Sequence, residues 1–196
     1  MGLDMYLYVR KKDWKNKIPK KYLDYNEIVN QENFIKEMGA DKVLNLILSK
    51  NIFVDTPLYA DTVWMSVTQE IGYWRKANAI HNWFVKNIQN GVDDCGYYVV
   101  TRENLKKLLE VCREVRDSLE NQELVEEIDK DGYKIQVFKN SEIAEKLLPT
   151  TEGFFFGGTE YDQYYLENIQ ETMRILSKII NRVDDKDFEI LYHSSW

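Results

Sequence analysis

Residues 70–96 read EIGYWRKANAIHNWFVKNIQNGVDDCG, and the side on which this stretch puts its polar groups decides the kind of molecule the chain makes. At about 100° per residue, Tyr73, Ala77, Ile80, Phe84 and Ile88 fall on one face, the buried stripe of an amphipathic helix. His81 and Trp74 sit at one edge of that stripe and Trp83 at the other. Continuing round, His81, Trp74, Asn78, Asn82 and Arg75 form one arc of about 120°. An indole set beside a guanidinium, two amides and an imidazole is unusual on open helix surface. The arc is therefore read as one wall of a cleft, against the alternative of a solvated helix face with His81 at its boundary. Gly91 suits the left-handed residue that ends a helix. Asp93 and Asp94 then fill a tight turn, where they bond nearby backbone N–H groups or, alternatively, hold a cation or act as a general base.

Outward from this stretch the periodicities alternate between two and 3.6. Upstream, GLDMYLYVRK sets Leu3, Met5, Leu7 and Val9 against Asp4, Tyr6, Tyr8 and Arg10, which predicts a half-buried first strand. Residues 25–50 have a helical pattern broken at Gly39, and TVWMSV (62–67) reads as a strand. Downstream, GYYVVT (96–101) reads as a short strand. Thr101 follows as the cap of a helix bearing Leu105, Leu108, Cys112, Val115 and Leu119 at helical spacing. DGYKIQVFKN (131–140) leads from a charged loop into a strand, and GFFFGG (153–158) reads as a compact apolar strand between glycines. TEYD (159–162) has capping-box form, with Thr159 as cap, and opens a last long helix through Ile180. FEILYHSSW (188–196) closes the chain as a strand. This irregular interleaving predicts an α+β fold: a single domain over 1–196, with a mixed or antiparallel sheet packed against several helices.

Composition narrows the function classes. A formal net charge of −7 over 196 residues is the wrong field for nucleic acid, so no nucleic-acid partner is expected. Arg10, Lys11, Lys12, Lys15, Lys17, Lys20 and Lys21 form one basic segment, read as a solvated hairpin or loop. No apolar run approaches the roughly 20 residues that span a bilayer, and MGLDMYLYVR carries Asp4 where a secretory leader needs apolar residues; no membrane partner is expected. Cys95 and Cys112, without CxxC spacing, read as reduced thiols. No metal site and no cofactor motif emerge: His81 and His193 lack ligand spacing, and the glycines at 157–158 lack the lysine of a phosphate loop, while Glu160 and Asp162 would repel an anion there. Aromatic residues reach 13%, a high share that fits core packing or, for Tyr and Trp, ligand and partner surfaces.

Three functions follow, none of them fixing an oligomeric state. In the first, a small ligand, plausible as a nucleotide, binds at Trp74, Arg75, Asn78, His81, Asp94 and Tyr161. Arg75 and Lys76 meet phosphates, Trp74 or a tyrosine among Tyr161, Tyr164 and Tyr165 stacks on a base, and Asn78 with Asp94 reads polar edges. In the second, His81 is an acid or base, with Asp93 or Asp94 as the orienting or metal-binding carboxylate; no nucleophile motif accompanies them. In the third, an acidic, aromatic surface grips a host protein. The expectation leans to capture of a small molecule, not catalysis.

GLDMYL at 2–7, YWRKANAIHNWFV at 73–85, GVDDCG at 91–96, LPTTEGFFFGGTEYDQYY at 148–165 and SSW at 194–196 together resemble a widespread family of small proteins encoded by bacteriophages and prophages. The resemblance reaches both ends of the chain but not residues 15–60, which it marks as a variable insertion. It implies a setting, the host cytoplasm during infection, but no activity; in that setting the small-molecule reading becomes capture of a host defence signal, an anti-defence role. It implies no catalytic residue.

Overall fold

A computed structural model describes residues 2–12, 52–55, 66–129 and 132–196. The expected helices at 25–50, most of the basic segment and most of the 15–60 insertion lie outside the described residues. The fold is α+β.

Strand β1 (Asp4–Lys11) forms where the alternation requires it: Leu3, Met5, Leu7 and Val9 are buried, which only a pleated segment with a core on one side can do. It sits in the middle of an antiparallel sheet ordered β2–β3–β1–β7–β4, with β2 at Ile52–Asp55, β3 at Ser66–Arg75, β4 at Tyr97–Val100 and β7 at Phe188–Ser195. Register places Met5 opposite Trp74 and Ser194, and Leu7 opposite Gly72 and Tyr192. Tyr8 pairs with Glu70, so Ile71 is an extra residue on β3, a β-bulge. Helices α1 (Asn78–Asn87), α2 (Arg102–Leu119) and α4 (Gln163–Arg182) supply the other wall of the core, with α3 (Glu142–Leu147) a short connector. Gly72 lets α4 come close: a Cβ there would stand 2.8 Å from Ile175 Cγ2. Strands β5 (Leu124–Ile128) and β6 (Lys134–Phe138) pair as a separate hairpin.

Several expectations hold in detail. Thr101 caps α2, accepting from Asn104 N–H while Asn104 answers the Thr101 N–H, and Leu105, Leu108, Cys112, Val115 and Leu119 are all buried. Three do not hold. The helix expected to start near Tyr73 begins at Asn78; Glu70, Ile71, Gly72, Tyr73, Trp74 and Arg75 belong to β3. The chain turns at Lys76, whose φ of +56° ends the strand and whose N–H donates to Leu3 O at 2.8 Å. GFFFGG is a loop, because Phe155 takes φ +65° and Gly157 φ +96°, values no strand residue adopts. The cap of α4 is Asp162, accepting from Tyr165 N–H at 2.8 Å, one turn later than the capping box with Thr159 as cap would place it. Among the described residues no helix is long and apolar enough to cross a membrane.

Candidate functional site

Trp74 and Arg75 leave β3 on opposite faces, so they cannot share a wall with the helical residues 78–82. Trp74 is buried at 3% exposure and its indole N–H donates to Thr172 Oγ1 at 2.9 Å, tying β3 to α4. The hydroxyl of Thr172 in turn donates a hydrogen bond to Asn168 O at 2.7 Å. Arg75 points outward at the end of the strand, its carbonyl accepting from the Tyr164 hydroxyl at 3.2 Å.

His81 lies at the centre of a closed network. Its Nε2 is 2.9 Å from Asp93 Oδ2 and its Nδ1 2.7 Å from Tyr192 Oη, and the ring is 1% exposed. A carboxylate only accepts, so in a neutral imidazole Nε2 carries the proton and Nδ1 accepts from Tyr192. Burial pushes the Tyr192 hydroxyl well above its ordinary pKa, which keeps it a donor. Asp93 Oδ1 takes the Trp196 indole N–H at 3.1 Å, and the Phe156 ring stands edge-on to His81 at 5.3 Å. With both nitrogens engaged and no exposed edge, His81 is set to brace the fold, not to reach a substrate proton. Asp94 turns away from this network: its Oδ1 accepts from Gly96 N–H and from the Tyr98 hydroxyl, each at 2.9 Å, as turn aspartates do. Among the described residues no group of three or more His, Cys, Asp or Glu is placed to hold a metal ion.

The two amides of the expected arc act as clamps. Asn78, 4% exposed, donates from Nδ2 to Gly158 O at 2.7 Å and Phe156 O at 3.4 Å, and accepts at Oδ1 from Thr151 N–H at 3.2 Å. One turn on, Asn82 donates to Pro149 O at 2.9 Å. Tyr161 is half-buried, and its hydroxyl accepts from Thr150 N–H at 3.3 Å, while Thr150 Oγ1 donates to Thr159 O at 3.0 Å. Between them these bonds tie residues 149–159 to α1 and to Tyr161.

What the loop displays is a pair of bare phenyl rings. Phe156 turns inward, at 6% exposure, against His81 and Trp196. Phe154 and Phe155 turn outward, 80% and 53% exposed, with ring centroids 4.1 Å apart. Beside this ridge stand Arg75 and Lys76; among the described residues neither forms an ion pair. Behind the ridge, where the loop meets the first turns of α1 and α4, lies a hollow of about 130 Å³ with Ala77, Ile80 and Ile169 among its buried lining and Glu160, Asp162 and Tyr164 among its more exposed residues. Of the expected ligand set, Trp74, Arg75, Asn78, His81, Asp94 and Tyr161, only Asn78 lines it. The residues the sequence reading passed over are Phe154 and Phe155. Their signal is three consecutive phenylalanines between glycines, because a loop turning through that triplet cannot bury all three rings.

No family model matches the chain, and no curated protein or solved structure matches it either.

Proposed function

We propose that the chain is a protein-docking module whose anchor is the Phe154–Phe155 ridge. One observation carries the reading: two adjacent phenyl rings are exposed on a loop whose ends Asn78 and Asn82 anchor by hydrogen bonds. Exposed apolar groups of this kind mark interaction sites, and burying a phenylalanine is worth about 1.5–3 kcal/mol. Holding the loop in advance lowers the ordering cost of association. Arg75 and Lys76 beside the ridge suit a partner whose apolar cleft is rimmed by carboxylates. In the phage setting that the resemblance implies, the partner is a host protein and docking inhibits it.

The geometry gives less support to capture of a nucleotide. Pockets that enclose drug-sized ligands measure about 300–1,000 Å³; the hollow that Asn78 lines is well below that, and a larger groove of about 550 Å³ lined by Arg116, Arg174 and Lys178 contains none of the expected ligand residues. The test is photo-crosslinking from a benzophenone amino acid at position 154 in host lysate. The reading expects one adduct with a host protein, distinct in mass from a crosslinked pair of the chain itself, competed away by the unlabelled protein and not by a Phe154→Ser/Phe155→Ser double variant. No adduct, together with a nucleotide that raises the melting temperature, would hand the case to small-molecule capture.

A further inference from the structure

The ridge and the hollow belong together. Phe154 protrudes further than any other large apolar side chain among the described residues, at 80% exposure. The hollow has room for about one such ring: at about 130 Å³ it is close to the cavity of about 150 Å³ that takes up benzene in another protein. Its inner lining is also right for a phenyl group, since Ala77, Ala79, Ile80 and Ile169 are all buried and apolar.

The charges match in the same sense. Glu160 and Asp162 outnumber Lys76 among the charged residues lining the hollow, while Arg75, with no ion pair among the described residues, flanks the ridge beside Lys76. A chain of net charge −7 repels its own copies, so self-association needs a locus where opposite signs meet. Lys76 links the two features: it lines the hollow, and its Cβ would be 3.2 Å from a side chain at Gly157 on the ridge loop. Ridge loop and hollow thus adjoin at Lys76, so one patch can hold both, as in an isologous two-fold interface where each copy gives what the other receives.

We propose that in the free protein two copies pair across a two-fold axis, Phe154 of each seated in the hollow of the other, with Arg75 and Lys76 facing the opposing Glu160 and Asp162. The pairing rests on the docking reading of the ridge and names its occupant before any other protein is met. A host partner then has to displace the second copy.

Light scattering during gel filtration, over a dilution series, reads the outcome. The full chain runs at twice its 23.4 kDa mass and dissociates on dilution. Phe154→Ser raises the dimer dissociation constant about a hundredfold, and Asn168→Trp, which fills the hollow from its half-exposed edge, does the same; circular dichroism confirms that both variants are folded. Mixing the two variants then regains a heterodimer, because one supplies the ring and the other the empty hollow. A full chain that stays monomeric at every concentration overturns the pairing, and so does a dimer indifferent to Phe154→Ser or a mixture that fails to associate. If the full chain is monomeric but the crosslinked adduct forms, only the pairing falls; if neither is seen, the docking reading falls with it.

Discussion

Asn78 and His81 stand three residues apart on α1, both buried, and each is fully engaged for a different end. Asn78 makes three bonds to the loop backbone. Replacing it with alanine leaves two carbonyls and an N–H short of partners, at a cost of about 1–3 kcal/mol. The expected result is a lower urea midpoint together with faster amide exchange across 151–158, and unchanged exchange there would remove the clamp role. Tyrosines give the pH dependence. The Tyr73 hydroxyl donates to Asp4 Oδ1 at 2.6 Å; that bond, then partial burial and the charge of Asp4, push its pKa from 10.0 up to about 12. Burial moves Tyr165 and Tyr192 the same way. A folded value above the unfolded one means the stabilisation is whole below about pH 10 and is lost as pH rises beyond it. The urea midpoint should therefore hold steady through neutral pH and fall above about pH 10. Asp4→Asn should bring the tyrosinate absorbance of Tyr73 forward to lower pH.

At the scale of elements, legibility tracked how cleanly one period excluded another. Strand β1 and helix α2 were readable because Leu3, Met5, Leu7 and Val9 fit only a period of two and Leu105 through Leu119 only a period of 3.6. The join of β3 and α1 was not, because Tyr73, Ala77, Ile80 and Phe84 continue a helical stripe by coincidence. The stop at Lys76 is a left-handed lysine, which no residue type announces. GFFFGG misled for a related reason: an apolar run has strand composition, but the fixing bonds come from Asn78 and Asn82, roughly 70 residues upstream. Helix α2 also separates the two thiols. Cys112 is fully buried on its inner face and burial raises its pKa, while Cys95 is half-buried in the turn after α1. A disulfide-exchange reagent should find one fast equivalent in the native protein and the second only in denaturant. Two fast equivalents would mean that α2 opens.

Across the whole molecule, the residues expected to line one cleft are divided between the interior and the surface. Trp74, Asn78, His81 and Asp93 do form one connected region, but they face the interior and hold up the loop that carries the exposed rings. The phenylalanine triplet signals that some ring must stay outside, but which of the three turns outward depends on bonds between segments distant along the chain. The bulge in β3 has a consequence of its own. Because Ile71 faces no partner on β1, the alternation of β3 is reset there: Trp74 and Gly72 point inward on one side, Gln69 points inward opposite Val9 on the other, and Glu70 falls opposite Tyr8. Were the strand regular, Glu70 would land on the inward beat and a carboxylate would enter the core. The extra residue is thus a phase corrector, and it makes β3 tolerant of shortening at one position. Excising Ile71 keeps every remaining side chain of the strand on its present side, at the cost of the contact Ile71 makes with the core, whereas excising Tyr73 would turn one end of the strand inside out.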